Sequence, residues 1–283
     1  MVAAKWIDFI VGIGRAYRVD IGCFPAHGIL IARIVRGSFL AAFYIVNIQG
    51  GVMKIGIIGA GNIGAVLALR WSEKGHDVRI ANSRGPASLA DVARETGATA
   101  AEARDTVAGA EVIVVTIPEA KVPNLPKDLF AGVPAGVVVI DTGNYYPRQR
   151  DGRIDGIEQG LPESRWVEQQ IGRPVVKAFN NIYAEHLRNR GKPAGEAGRI
   201  ALPVAGDDPQ AKTLVMQLVE EMGFDAVDAG TIDDSWRQQP ATPVYTADLD
   251  AAGVRAGLQQ ADPVRKPEWR ATDASPGTFD APA

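Results

Sequence analysis

The stretch that most constrains this chain is Met53 to Pro86, which reads as a buried strand, a glycine turn, an amphipathic helix and a second strand. Ile55-Gly56-Ile57-Ile58 is the continuous apolar run of a parallel strand covered on both faces. It breaks into Gly59-Ala60-Gly61-Asn62-Ile63-Gly64, a G-x-G-x-x-G. Ile63, Val66, Leu67, Arg70 and Trp71 then recur at helical spacing, and Asp77 to Ala81 forms the next strand. This context makes the glycine turn a dinucleotide site. Gly59 permits the tight turn, Gly61 lets the backbone approach a pyrophosphate, and Gly64 lets the helix pack on the sheet. The helix N-terminus adds unpaired N–H groups and a positive dipole end, which favour a phosphate.

The end of the second strand selects the dinucleotide. An NAD site places an Asp or Glu there for the ribose 2′-hydroxyl. Here the chain reads Asn82-Ser83-Arg84, with no acid. Ser83 and Arg84 suit a 2′-phosphate, which an acid would repel, so NADP(H) is the expected cofactor.

A net charge of −3 with 22% charged residues shows no basic face for nucleic acid. Cys23 is the only cysteine, and His27, His76 and His186 are scattered, so no metal site is expected. A cytoplasmic protein is expected. Residues 1–52 stand apart: they lack defensible periodicity and carry five Lys/Arg against two acids. Gly28 to Ile48 is apolar, but Arg33 and Arg36 inside it would each cost about 2.5–3.5 kcal/mol near a bilayer centre, so a membrane segment is not expected. Met53 directly before the first strand suggests the domain start, with 1–52 as an upstream extension.

Beyond the turn, helices are expected over Pro86–Thr96 and Glu102–Ala108, with a short strand between them. Further strands are expected at Glu111–Pro118, Gly136–Asn144, Pro174–Asn180, Arg199–Gly206 and Phe224–Gly230. Strand ends in such a sheet form the ligand crevice, which brings Thr116, Ile117 and Pro118 towards the nicotinamide half of the cofactor. Asp141, Thr142 and Asn144, at the next strand end, hydrogen-bond a carboxamide or a ribose or only close a turn. Tyr145 to Gly152 reads as too polar for core, with its tyrosines and arginines free to face a planar anionic partner. The Asp207-Asp208 pair caps an amphipathic helix from Pro209 to Met222. The whole is α/β: a Rossmann-like, doubly wound, mostly parallel sheet over 53–230. A small helical C-terminal addition over 231–270 and a mobile tail over 271–283 follow it.

With these pieces placed, residues from Met53 to about Asp250 resemble the F420-dependent NADP oxidoreductase family. The resemblance is carried by GAGNIG (59–64), NSRGP (82–86), TIPEA (116–120), DTGNYY (141–146), VVKAFNNI (175–182), AGDD (205–208) and DAG (228–230). It implies a homodimer that moves hydride reversibly between NADPH and coenzyme F420. It also implies that Ala60 to Ile63 line the pyrophosphate and that Ser83 and Arg84 take the 2′-phosphate. Ile117, Asn144 and Ala178 would flank the nicotinamide.

Hydride transfer between two cofactors needs stacking and water exclusion rather than an acid–base pair. A small carbonyl or imine acceptor would need a proton donor, for which Lys177, His186 and Tyr145 are the candidates. Lys177 is otherwise a ladder residue pointing outward and His186 a surface residue. A related flavin is a further acceptor, and an NADP-binding sensor without turnover is the non-enzymatic alternative.

Overall fold

The computed structural model describes residues 51–278 together with four strands upstream: β1 (Trp6–Val11), β2 (Arg15–Cys23), β3 (Ile29–Ile34) and β4 (Ala42–Val46). These four pair antiparallel in sequence order and belong to a unit, Met1–Val52, separate from Met53–Ala283. Strands therefore appear where the sequence showed no periodicity. The apolar stretch Gly28–Ile48 contributes β3 and β4, and no helix among the described residues is long and apolar enough to cross a membrane. The remainder of 1–50, and with it the expectation of an upstream extension, lies outside the described residues.

The second unit runs β5 (Lys54–Ile58), α1 (Asn62–Glu73), β6 (Asp77–Ala81), α2 (Ala90–Thr96), β7 (Thr99–Ala100), α3 (Ala103–Val107), β8 (Val112–Val115) and β9 (Val138–Asp141). It continues through α4 (Asp155–Glu158), α5 (Glu163–Ile171), β10 (Val176–Lys177), α6 (Ala184–Asn189), β11 (Ala201–Val204), α7 (Pro209–Glu221), β12 (Asp225–Asp228) and α8 (Ala251–Gln260). Six strands form one parallel sheet in the order β10-β9-β8-β5-β6-β7. This is the doubly wound order, whose reversal point lies between β5 and β8. β11 and β12 pair parallel to each other, and Ala205 bridges back to Lys177 antiparallel.

Strand alternation builds both cores. Ile55, Ile57, Val112, Val114, Val138 and Ile140 face one way and pack with Leu67 and Trp71 of α1 and Leu218 of α7. Ile58, Ile113, Val115 and Val139 face the other way onto Val107, Val122 and Val167. Both faces of each strand are apolar, as a sheet wrapped by helices requires. The Arg70 guanidinium reaches the carbonyls of Leu187, Arg188 and Met222 at 2.8–2.9 Å, tying α1 to the ends of α6 and α7.

Of the acidic pair before α7, Asp208 is the cap: its Oδ1 accepts from the Gln210 and Ala211 amides at 2.8 and 3.2 Å, and Pro209 takes the first turn. Asp207 turns away to accept from the Ile232 amide at 3.0 Å. Asp208→Ala is expected to lower stability by about 1 kcal/mol. Urea melts would read this as a lower midpoint at unchanged slope.

Two stretches depart from the sequence expectation. Tyr145, Pro147 and Asp151 are buried. The polar run holds together because the Asp151 carboxylate accepts from the Tyr146 and Ala120 amides and pairs with Arg150. The tail up to residue 278, expected to be mobile, is mostly exposed but held at a few points. Ala271 donates to Glu158 at 2.7 Å, Arg148 donates to the Thr272 carbonyl at 3.1 Å, and Ser275 is buried. Residues 279–283 lie outside the described residues.

Candidate functional site

Gly59 leaves β5 with φ +115°, a left-handed value that favours glycine, and a Cβ there would overlap the Thr116 carbonyl. A Cβ on Gly64 would overlap the Gly59 carbonyl and approach Thr116 Cγ2 at 2.8 Å, so α1 sits directly on the turn. Gly61 is different: a Cβ there would meet nothing within 4 Å. It is the N-cap of α1 and no side chain caps the helix, unlike α7. The first-turn N–H groups of α1 lack helical partners and open onto free space, which fits a pyrophosphate.

A cavity of about 930 Å³ runs from this turn along the end of β6. The Asn82 side chain accepts from the Arg84 amide at 2.9 Å and donates to Ser88 Oγ at 2.9 Å, an Asx turn that presents Ser83 and Arg84 at the cavity wall. Arg84 is exposed, and its guanidinium makes no hydrogen bond or ion pair with the described residues. Lys121, across the cavity, is likewise an exposed cation without a described partner. Against these two charges the cavity holds one acid, Glu102. The net positive wall fits a 2′-phosphate. Lys121 was not singled out from the sequence, although it follows the strand-end Pro118 by three residues.

A second cavity of about 450 Å³ shares Gly61, Thr116, Ile117 and Pro118 with the first and also takes in Asn62 and Ile63. Asn144 lines it, locked by donating to the Asn180 carbonyl at 2.8 Å and accepting from Asn180 Nδ2 at 3.0 Å. Asn180 in turn donates to the Gln238 carbonyl at 2.7 Å and accepts from Gln238 Nε2 at 2.9 Å. Phe179 carries φ +63°, unusual for an aromatic, and its buried ring meets Trp71 edge-on at 5.8 Å. That kink stops β10 after two residues and turns Asn180 into the cavity wall.

Four sequence expectations need correction. Ala178 is wholly buried in the core and lines neither cavity. Tyr145 points into the opposite core, where its hydroxyl donates to Glu158 at 3.2 Å and accepts from the Ile154 amide. Its neighbour Tyr146 lines the smaller cavity instead, with Arg150, Tyr183 and Tyr245. His186 lies against Asp248 at 2.6 Å and outside both cavities. Lys177 does not point outward: it is wholly buried, with Nζ donating to Asp141 Oδ2 at 2.9 Å and to the Gly143 carbonyl at 2.6 Å.

The Lys177–Asp141 pair adjoins the smaller cavity through Thr142 and Gly143, which line it. Ser164 Oγ adds a 2.6 Å hydrogen bond to the same carboxylate oxygen, and the other oxygen accepts from the Gly143 amide at 2.9 Å. Burial pulls the Lys177 pKa down, but Asp141 first and Glu163 second outweigh it and raise it, so the ammonium persists. Glu119 is also fully buried and neither of its oxygens has a hydrogen-bond partner. Burial first, and the Asp141 charge second, raise its pKa well above the usual carboxylate range.

Residues 54–145 match the model of a family described as NADP oxidoreductase, coenzyme F420-dependent. Over 80 residues the chain is 53% identical to the protein YjhV of Escherichia coli K12; the match covers 28% of this chain and 51% of YjhV. The match thus spans about half the length of that curated relative. Among solved structures, protein SMa0349 of Sinorhizobium meliloti is 31% identical with a TM-score of 0.60, over 70% of this chain and 95% of that one. A structure from Arthrobacter sp. FB24, described as an F420-dependent NADP-reductase, is 24% identical over 65% of this chain and 87% of its own. Its TM-score of 0.54 marks a shared fold.

Proposed function

Because the chain belongs to the family of coenzyme F420-dependent NADP oxidoreductases, we propose that it transfers hydride between NADP(H) and an acceptor bound in the smaller cavity. Coenzyme F420 or a related flavin is the acceptor this reading favours. NADPH, when bound, supplies the hydride, and the chain's residues bind, orient and exclude water. The observation that carries the reading is the shared wall: Gly61, Thr116, Ile117 and Pro118 border both cavities. A dinucleotide lying in the larger cavity would therefore end where the smaller one begins. The α1 N-terminus would hold its pyrophosphate, Ser83, Arg84 and Lys121 its 2′-phosphate, and Asn144 would orient its far end.

The test has two parts. Arg84→Glu is expected to weaken NADPH binding about 10- to 100-fold, since it removes a charge-assisted contact worth about 1.5–3 kcal/mol, and to change NADH binding little. Equal losses for the two nucleotides would defeat the 2′-phosphate assignment. Absorbance at 340 nm then follows NADPH with oxidised F420, flavins and a panel of carbonyl and imine compounds. NADPH that binds but is oxidised by none of them would replace the enzyme reading with a sensor.

A further inference from the structure

The smaller cavity contains a tyrosine pair that pure cofactor-to-cofactor stacking leaves without a task. Tyr146 follows β9, whereas Tyr245 comes from the C-terminal addition, 99 residues away in sequence, and their hydroxyls are hydrogen-bonded to each other. Trp269 lies 6.1 Å from both rings and buttresses them. The Arg150 guanidinium sits over the Tyr146 ring, 4.9 Å from its centroid.

The segment carrying Tyr245 is held in place at a conformational cost. Ala241 and Thr246 flank it with φ of +77° and +53°, left-handed values that non-glycine residues rarely adopt. The Thr246 amide donates to the Asn181 carbonyl at 2.9 Å and the Tyr245 amide to Thr242 at 3.1 Å. Strain of this kind persists where surrounding structure over-determines it, commonly at functional positions.

Two phenols joined by one hydrogen bond carry two protons and use one. With no other described partner for either hydroxyl, the second O–H is available to the cavity. We propose that Tyr146 is the catalytic proton donor to the hydride acceptor, and that Tyr245, donating its own O–H to the Tyr146 oxygen, is its positioning partner. The inference rests on the oxidoreductase reading and narrows the acceptor to a molecule with a polarised C=N or C=O system, a deazaflavin ring included. In the reducing direction, the electrophilic carbon receives hydride from NADPH, which leaves as NADP+. The π pair moves onto nitrogen or oxygen, the Tyr146 O–H bond breaks, and its proton joins that atom. The phenolate then regains a proton from water.

The surroundings suit this task. Burial, above all, raises the pKa of both phenols, so they hold their protons at neutral pH; for Tyr146 the Tyr245 hydrogen bond and the Arg150 charge work the other way and favour its ionisation. Tyr146 is thus the member that gives up its proton more readily.

Tyr146→Phe and Tyr245→Phe keep the rings on Trp269 and test the roles separately. In single-turnover oxidation of NADPH, with oxidised F420, cyclic imines and carbonyl compounds as separate arms, Y146F is expected to lose about 10²–10³-fold in rate, within the usual contribution of a general acid. Its residual rate should fall about tenfold per pH unit, because the proton then comes from solvent, while the wild type stays flat from pH 6 to 9. NADPH affinity should remain within twofold. In the protein alone, alkaline titration at 295 nm should show the Tyr146 phenolate forming at higher pH in Y245F. A Y146F rate and pH profile like the wild type's, or an unmoved phenolate transition in Y245F, overturns the assignment and leaves the oxidoreductase reading standing. A wild type that binds NADPH but turns over with no acceptor removes that reading, and this one with it. The arm that responds identifies the acceptor's source.

Discussion

Asp141→Asn is expected to destabilise the protein by about 3–5 kcal/mol, the cost of leaving a buried charge without its partner. The reason is local. Lys177 is wholly buried, and apart from Asp141 its ammonium has one described acceptor, the Gly143 carbonyl. Asparagine preserves the shape and can still accept from Ser164, but it supplies no charge to offset the desolvated ammonium. Lys177→Met together with Asp141→Asn should recover much of the loss, since a missing pair costs far less than a broken one. Chemical melts of the two variants measure both effects. A single variant within 1 kcal/mol of wild type would mean that water reaches the ammonium.

Glu119→Gln is expected to change the slope of stability against pH. The folded protein holds the Glu119 proton well above the ordinary carboxylate range, and the unfolded chain releases it near pH 4.3. The contribution of this group is therefore fully present below that pH. It is lost as pH rises towards the folded value, by roughly a factor of ten in the folding constant per pH unit. Glutamine has no proton to release, so the variant should lack this fall and gain on the wild type as pH rises above the ordinary carboxylate range towards the folded value. Melts at four pH values suffice. Parallel profiles would show that Glu119 is ionised in the folded state.

The two carboxylates also show where sequence reading reached its limit. The strand–turn–helix at Gly59 was legible because its signal is short-range: a glycine with φ +115°, an uncapped helix end and alternating apolar strand positions all lie within thirty residues. The parallel sheet and the location of Arg84 at the end of β6 follow from the same local grammar. Lys177 was read as a residue pointing outward because no local pattern announces a buried lysine. Its partners Asp141 and Gly143 come from the neighbouring strand end, over 30 residues away. Tyr145 and Tyr146 exchange roles because β9 ends at Asp141 and the turn that follows does not continue its alternation. Tyr245 could not be read at all, since the stretch around it has no periodicity and is placed by tertiary hydrogen bonds to Asn181.

The kink at Phe179 has an implication for which residues the position can tolerate. Holding a non-glycine residue in the left-handed region costs about 1–2 kcal/mol. Burying its ring against Trp71 contributes about 1.5–3 kcal/mol by area alone, and removing such a ring from a packed core costs about 3–5 kcal/mol. Glycine would relax the backbone yet hollow out the core, and a smaller apolar side chain would hollow it while keeping the torsional penalty. Single substitutions thus lose more in the core than they can regain in the backbone, which confines Phe179 to a narrow neutral network, and with it the direction in which the chain delivers Asn180.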